Sequence, residues 1–152
     1  PERCHAYGRH RFELERFCSE RFPTTVARLP ALYGPGLKKN ALYDLLNGNQ
    51  VEKINPLGRF QFYDVRRLWR DIELLRSRGI RLANITATPV TMAEIAFAAF
   101  GRFLPPSHAG RPAVYDVRSQ HAGIAGGEGG YWFDRATVLT GIADFVREAT
   151  TA

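Results

Sequence analysis

The 152-residue sequence predicts an α/β domain. Three observations carry that reading. Short stretches rich in apolar and β-branched residues alternate with longer stretches whose apolar residues recur at helical spacing. Glycine and proline clusters separate the two kinds. Finally, strands followed by amphipathic helices favour at least partly parallel strand pairing, because the helix supplies the crossover between neighbouring strands.

Along the chain, residues 5–21 read as a helix, with Tyr7, Arg11, Leu14 and Cys18 at i, i+4, i+7 and i+11 on one stripe. That stripe is expected to face inward, and Pro23 marks the helix end. Residues 24–29 are apolar and β-branched and read as a strand. Residues 30–36 hold Pro30, Gly34, Pro35 and Gly36 and read as a loop with a fixed path. A short helix follows over 37–46, with Leu42, Leu45 and Leu46 as its apolar side and Asn47-Gly48 as its stop. Lys38, Lys39 and Asn40 fall at its start. Lysines oppose the macrodipole there, so a nearby anionic ligand would offset a local cost.

Residues 51–58 form a turn-rich connector and 60–63 a short strand. Val65, Leu68, Trp69, Ile72 and Leu75 then give an amphipathic helix that closes at Gly79. Another strand covers 80–85. Thr91-x-x-Glu94 is a capping box, and Val90 with Ile95 has the spacing of a hydrophobic staple. Residues 104–112, with three prolines and a glycine, read as a surface loop, and 113–117 as an edge strand behind Pro112. The five glycines of 121–130 neither follow a buried strand nor open a helix directly, so they read as a mobile loop and not as a phosphate-binding fingerprint. Asp134 caps a last helix whose Val138, Ile142, Phe145 and Val146 face inward.

Twenty-one Lys and Arg against fifteen Asp and Glu give a formal charge of +6. This is compatible with an anionic small substrate, nucleic acid or a basic surface. The arginines are spaced along helices (Arg9, Arg16, Arg21; Arg66, Arg70, Arg76) without interleaved aromatics, so nucleic acid is not the expected partner. No apolar run approaches the ~20 residues of a membrane span, and no secretory signal is visible. Cys4 and Cys18, on one helix, would stand about 21 Å apart, too far for a disulfide, and read as free thiols of a reducing, cytoplasmic compartment. His5, His10, His108 and His121 lack metal-ligand spacing, so no metal is expected. The start at Pro1 reads as a cleaved or truncated product.

Tyr7 and Arg11, one turn apart on a helix, lie one above the other. A phenol beside a fixed positive charge ionises more easily and becomes a usable acid/base near neutral pH. Tyr7-x-x-x-Arg11 with Glu15 one turn on, then Arg28-Leu29-Pro30, then Tyr33-Gly34-Pro35-Gly36, resembles the extended short-chain dehydrogenase/reductase family, which includes NAD-dependent epimerases and dehydratases of nucleotide sugars. Residues 59–65, and Asn84-Ile85 followed by Pro89-Val90-Thr91 and Glu94-Ile95, resemble later segments of that family in the same order. The likeness covers about residues 5–103. Two departures accompany it: Arg11 stands where the family has lysine, a planar fork in place of a point charge, and Arg66-Arg67 replace an acidic pair.

The resemblance implies that residues 1–36 complete a Rossmann-like NAD(P)-binding core and that 37–152 form the smaller substrate-binding lobe. It implies Tyr7 and Arg11 as catalytic residues, with Tyr7, Arg11 and Pro30 beside an NAD or NADP cofactor. Tyr33, Lys39 and Asn40 would meet a small-molecule substrate such as a nucleotide sugar. The family's Gly-rich turn and catalytic Ser/Thr lie upstream of its tyrosine. The expectation is therefore a C-terminal half that needs its N-terminal half or a homo-oligomer partner and binds little cofactor alone. A non-catalytic binding or scaffolding module on the same fold is the alternative expectation.

Overall fold

In the computed structural model, which describes residues 6–106 and 110–151, five helices surround three small two-stranded sheets. The expectations for Cys4, His5, His108 and part of the 104–112 loop lie outside the described residues. The fold is mixed α/β, with two of the three pairings parallel.

Helix α1 (Ala6–Arg21) leads into β1 (Val26–Arg28), and β2 (Ala31–Tyr33) follows almost at once. This ribbon changes partner midway. β1 runs parallel to β5 (Leu82–Asn84) with Ala27 opposite Ala83, while β2 runs parallel to β4 (Phe62–Asp64) with Leu32 opposite Tyr63. Pro30 sits at the change, where it has no N–H to offer either ladder. The sequence reading of 30–36 as loop throughout is therefore corrected. Residues 31–33 are extended because a non-local partner, β4, supplies their hydrogen bonds, and the turn is confined to Gly34–Gly36.

Helix α2 (Ala41–Asn47) lies between β2 and β4 in sequence. Asn40 is its N-cap and accepts from the Tyr43 N–H at 3.0 Å, so the lysines lie ahead of the helix instead of in its first turn. β3 (Arg59–Phe60) pairs antiparallel with β6 (Val90–Thr91). α3 (Leu68–Ser77) follows a 3-10 turn, Val65–Arg67, and buries Leu75 and Asp71. Trp69, placed on the apolar stripe by the sequence reading, is 67% exposed. The buried face is Leu68, Asp71, Ile72 and Leu75, and Trp69 lies about 100° round from Leu68. Asp71 fits inside because the Tyr63 hydroxyl donates to it at 2.8 Å.

α4 (Met92–Phe100) begins with the capping box: Glu94 N–H donates to Thr91 Oγ1, and Thr91 N–H donates to Glu94 Oε2 at 2.7 Å. Val90 and Ile95 are both fully buried. α5 (Arg135–Thr151) carries Asp134 at its start, which accepts from Thr137 N–H, and buries Val138, Ile142, Phe145 and Val146 as its spacing predicts. Arg135 pairs with Glu94, tying the starts of α4 and α5 together. These two helices with Leu42, Leu45, Phe62, Tyr63, Leu75 and Ile85 make one core.

Two further expectations change. α1 buries none of its residues, and Tyr7 and Leu14 are more than three-fifths exposed, against the inward-facing stripe. Its charges lie all round the helix and pair along its surface, as Arg9–Glu13 and Arg16–Glu20 do, so it has no wide apolar face to bury here. Residues 113–117 form a single bridge, Arg59 to Val114, instead of a strand. The glycine-rich stretch contains a 3-10 turn (Ala122–Ala125), and its end is held by Ser119 N–H donating to Gly130 O. No helix among the described residues is long and apolar enough to cross a membrane.

Candidate functional site

A cleft of about 820 Å³ opens between α1, the β1–β2 ribbon and the turn that follows it. Its wall includes Tyr7, Arg11, Pro30, Tyr33, Lys39 and Asn40. The six sequence-selected residues, spread over more than thirty positions of the chain, thus meet at one cavity.

Each arrives there for a local reason. Tyr7 and Arg11 occupy successive turns of α1, and the Arg11 guanidinium lies 4.8 Å from the Tyr7 ring centroid, over its face. α1 is anchored beside the ribbon by Glu15, whose carboxylate accepts two hydrogen bonds from Arg28, Nε to Oε1 at 3.0 Å and Nη2 to Oε2 at 2.5 Å. That hydrogen-bonded carboxylate raises the Arg28 pKa further above its ordinary range. Pro30 enters at the point where the ribbon changes partner.

Tyr33 differs from the other five. Only 4% exposed, its ring packs at 6.0 Å from Phe145, and its hydroxyl stands where a Cβ on Gly141 would be. Burial, reinforced by the Asp64 carboxylate, pushes the phenol up to about 12. Tyr33, expected to meet substrate, thus turns its hydroxyl into the core. Tyr33 fixes the turn after it instead. Gly34, at φ +135°, leaves room for Val65, whose Cγ2 would lie 2.5 Å from a Cβ there.

Asn40 is clamped from both sides of its amide. Nδ2 donates to Leu32 O at 2.8 Å, and Oδ1 accepts from the Tyr43 N–H. Its backbone stands at φ 152°, ψ 179°, a region that L-residues rarely occupy. Lys38 and Lys39 line the cleft beside it.

A second chamber of about 580 Å³ adjoins the first and shares Arg28, Leu29, Pro30, Ala31 and Asn40 with it. Sequence reasoning missed it. Its far wall is organised by Gln61, which is buried. Gln61 Nε2 donates to Ala87 O at 2.7 Å and Val117 O at 2.8 Å, and its Oε1 accepts from Val117 N–H at 2.8 Å. One side chain thereby holds the Val117 end of the 113–117 segment, whose start is bonded to the Arg59 backbone. The signal was a polar residue inside an otherwise apolar strand, Phe60-Gln61-Phe62.

No family model matches the sequence, and no curated protein matches it. Among the described residues, no group of three or more His, Cys, Asp or Glu side chains stands close enough to hold a metal ion. The arrangement offers a phenol with a cation on its ring, two lysines ahead of a helix, and an adjoining apolar chamber. Such a set suits proton transfer at an oxygen of a bound organic molecule, with an anionic group held alongside.

Proposed function

We propose that this chain carries the catalytic helix and the substrate-binding lobe of an NAD(P)-dependent oxidoreductase of the epimerase/dehydratase type, with a Rossmann-like core completed by further sequence. The observation that carries the reading is that the Tyr7–Arg11 pair of α1 and the distant Pro30, Lys39 and Asn40 line one cleft, since only the family resemblance linked the two groups. The cleft's polar groups fit the nicotinamide-ribose end of a dinucleotide: a phenol, a guanidinium one turn away, and lysines suited to phosphate. When bound, that coenzyme supplies or accepts the hydride.

The chain's own residues do the rest. Tyr7 Oη holds the proton that passes to or from the substrate oxygen. Arg11 keeps positive charge against that ring and offers N–H donors to a ribose hydroxyl. The Glu15–Arg28 pair holds α1 against the ribbon, and the Tyr33 ring fixes the Gly34–Gly36 turn from the core side. The substrate carbonyl or carbinol sits beside Pro30, where the second chamber adjoins. A compartment with free thiols, as in the cytoplasm, suits the half-buried Cys18, which forms no disulfide among the described residues.

Tyr7→Phe in the longest chain carrying this sequence tests the proposal. Loss of proton transfer is expected to lower kcat by about 10²–10⁴-fold while a titrated NAD or NADP still binds. An unchanged kcat would leave Tyr7 as a surface ring. The chain would then read as a binding or scaffolding module, a reading favoured only by the exposure of α1.

A further inference from the structure

The second chamber has a wall chemistry of its own. Phe60 and Tyr115 stack at 5.6 Å between centroids with 27° between their planes, and Phe60 also meets Phe62 at 6.3 Å. Ile85 and Val117 complete the apolar lining. The polar side chains on the wall are largely committed to the protein. Gln61 makes its three bonds to Ala87 and Val117. Thr86 Oγ1 donates to Gly130 O at 3.0 Å. Both ends of the Asn40 amide are occupied, and Arg28, the cation on this wall, is held by Glu15.

What remains for a ligand is the Asn84 side-chain oxygen, the Tyr115 hydroxyl and Nη1 of Arg28, none of them bonded within the described residues. A nucleotide sugar would bring a diphosphate and a ring of hydroxyls into this chamber. Each of those groups needs a donor or acceptor there, and a buried one left without a partner is costly. An aromatic slab with three spare polar groups, too few for a diphosphate and a ring of hydroxyls together, suits the opposite kind of molecule.

We infer that the chamber takes the body of a planar aromatic ketone or its alcohol, stacked against the Phe60–Tyr115 pair, and not the sugar of a nucleotide sugar. This rests on the oxidoreductase reading for the placement of the reacting oxygen, whereas the stacking of the ring body rests on the chamber wall alone. About 580 Å³ accommodates two or three fused rings, within the range of small-molecule sites.

The test is a titration of the 152-residue chain with 2-acetylnaphthalene and, separately, with UDP-glucose, followed by amide chemical shifts and calorimetry. The expected result is saturable binding of the ketone with shifts centred on Phe60, Ile85 and Tyr115, and none with UDP-glucose. Tyr115→Ala removes an exposed ring outside the core and should weaken ketone binding at least tenfold. Val117→Trp, on the same wall, should block it by filling space. Ketone shifts centred on α1, no ketone binding, binding unaffected by both wall variants, or UDP-glucose binding that Tyr115→Ala weakens would each overturn it. Failure of cofactor binding or of the Tyr7→Phe effect would overturn the oxidoreductase reading alone.

Discussion

Gly141→Ala isolates the contact that holds the candidate cleft from behind. Gly141 lies mid-way along α5, where replacing glycine by alanine ordinarily stabilises a helix by about 1 kcal/mol. Here the new Cβ would stand 2.3 Å from the Tyr33 hydroxyl oxygen and 3.4 Å from its Cζ. The ring has little freedom to retreat, because it is buried against Phe145 and its backbone is paired with Asp64. Overpacking of this kind costs about 1–3 kcal/mol, enough to cancel the propensity gain and leave the variant as stable as the parent or up to about 2 kcal/mol weaker. Tyr33→Phe removes the offending oxygen and breaks no hydrogen bond among the described residues. The nearest ring atom is then at 3.4 Å, ordinary contact distance. In that background Gly141→Ala should stabilise by about 1 kcal/mol. A double-mutant cycle by urea unfolding should therefore show a coupling of about 1–3 kcal/mol. Equal effects of Gly141→Ala with and without the hydroxyl would refute the reasoning, because Tyr33 would then not be wedged against α5.

Further tests address the surrounding residues. Asn40→Ala loses the cap and the bond to Leu32 O and keeps the unusual backbone, whereas Asn40→Gly loses the same bonds and relieves it. The glycine variant should be more stable than the alanine variant by about 1–3 kcal/mol in urea. Gln61→Leu keeps apolar volume but strands three backbone groups of Ala87 and Val117, and should cost at least about 2 kcal/mol with faster amide exchange at Val117. Because the Tyr33 phenol is pushed up to about 12 from an ordinary 10, it contributes stability that is complete below pH 10 and is lost as pH rises to about 12. Tyr63, raised by burial and by its hydrogen bond to Asp71, adds to the same decline. Tyr33→Phe should make the fall shallower by up to about 1.4 kcal/mol per pH unit, read by urea unfolding at stepped alkaline pH. An unchanged slope would mean that this phenol ionises equally well in the folded state.

The elements legible in the sequence were those whose stabilising contacts are local. The capping box of Thr91 and Glu94 and the Val138, Ile142, Phe145, Val146 stripe involve residues three or four apart, and the chain shows both as read. β2 was hidden among prolines and glycines because its partner lies about thirty residues away. The 113–117 segment looked like a strand and is instead held by two backbone bonds to Arg59 and, at Val117, by one glutamine side chain, which no periodicity encodes. α1 shows the converse: its i, i+4, i+7 spacing is real, but the charges around it leave no apolar face that the described residues cover. The Tyr7–Arg11 contact follows from helical spacing. Their meeting with Pro30, Lys39 and Asn40 had only resemblance behind it, and the Phe60–Tyr115 wall, built from positions fifty-five apart, had no signal at all.

The ribbon that changes partner at Pro30 is a shared wall as well as a support. Leu29, Pro30 and Ala31 line both the Tyr7 cleft and the aromatic chamber. An occupant of either compartment that shifts this wall alters the volume available to the other. Thermodynamic linkage then requires the effect to be reciprocal: whatever factor a chamber ligand imposes on affinity in the cleft, a cleft ligand imposes equally on affinity in the chamber.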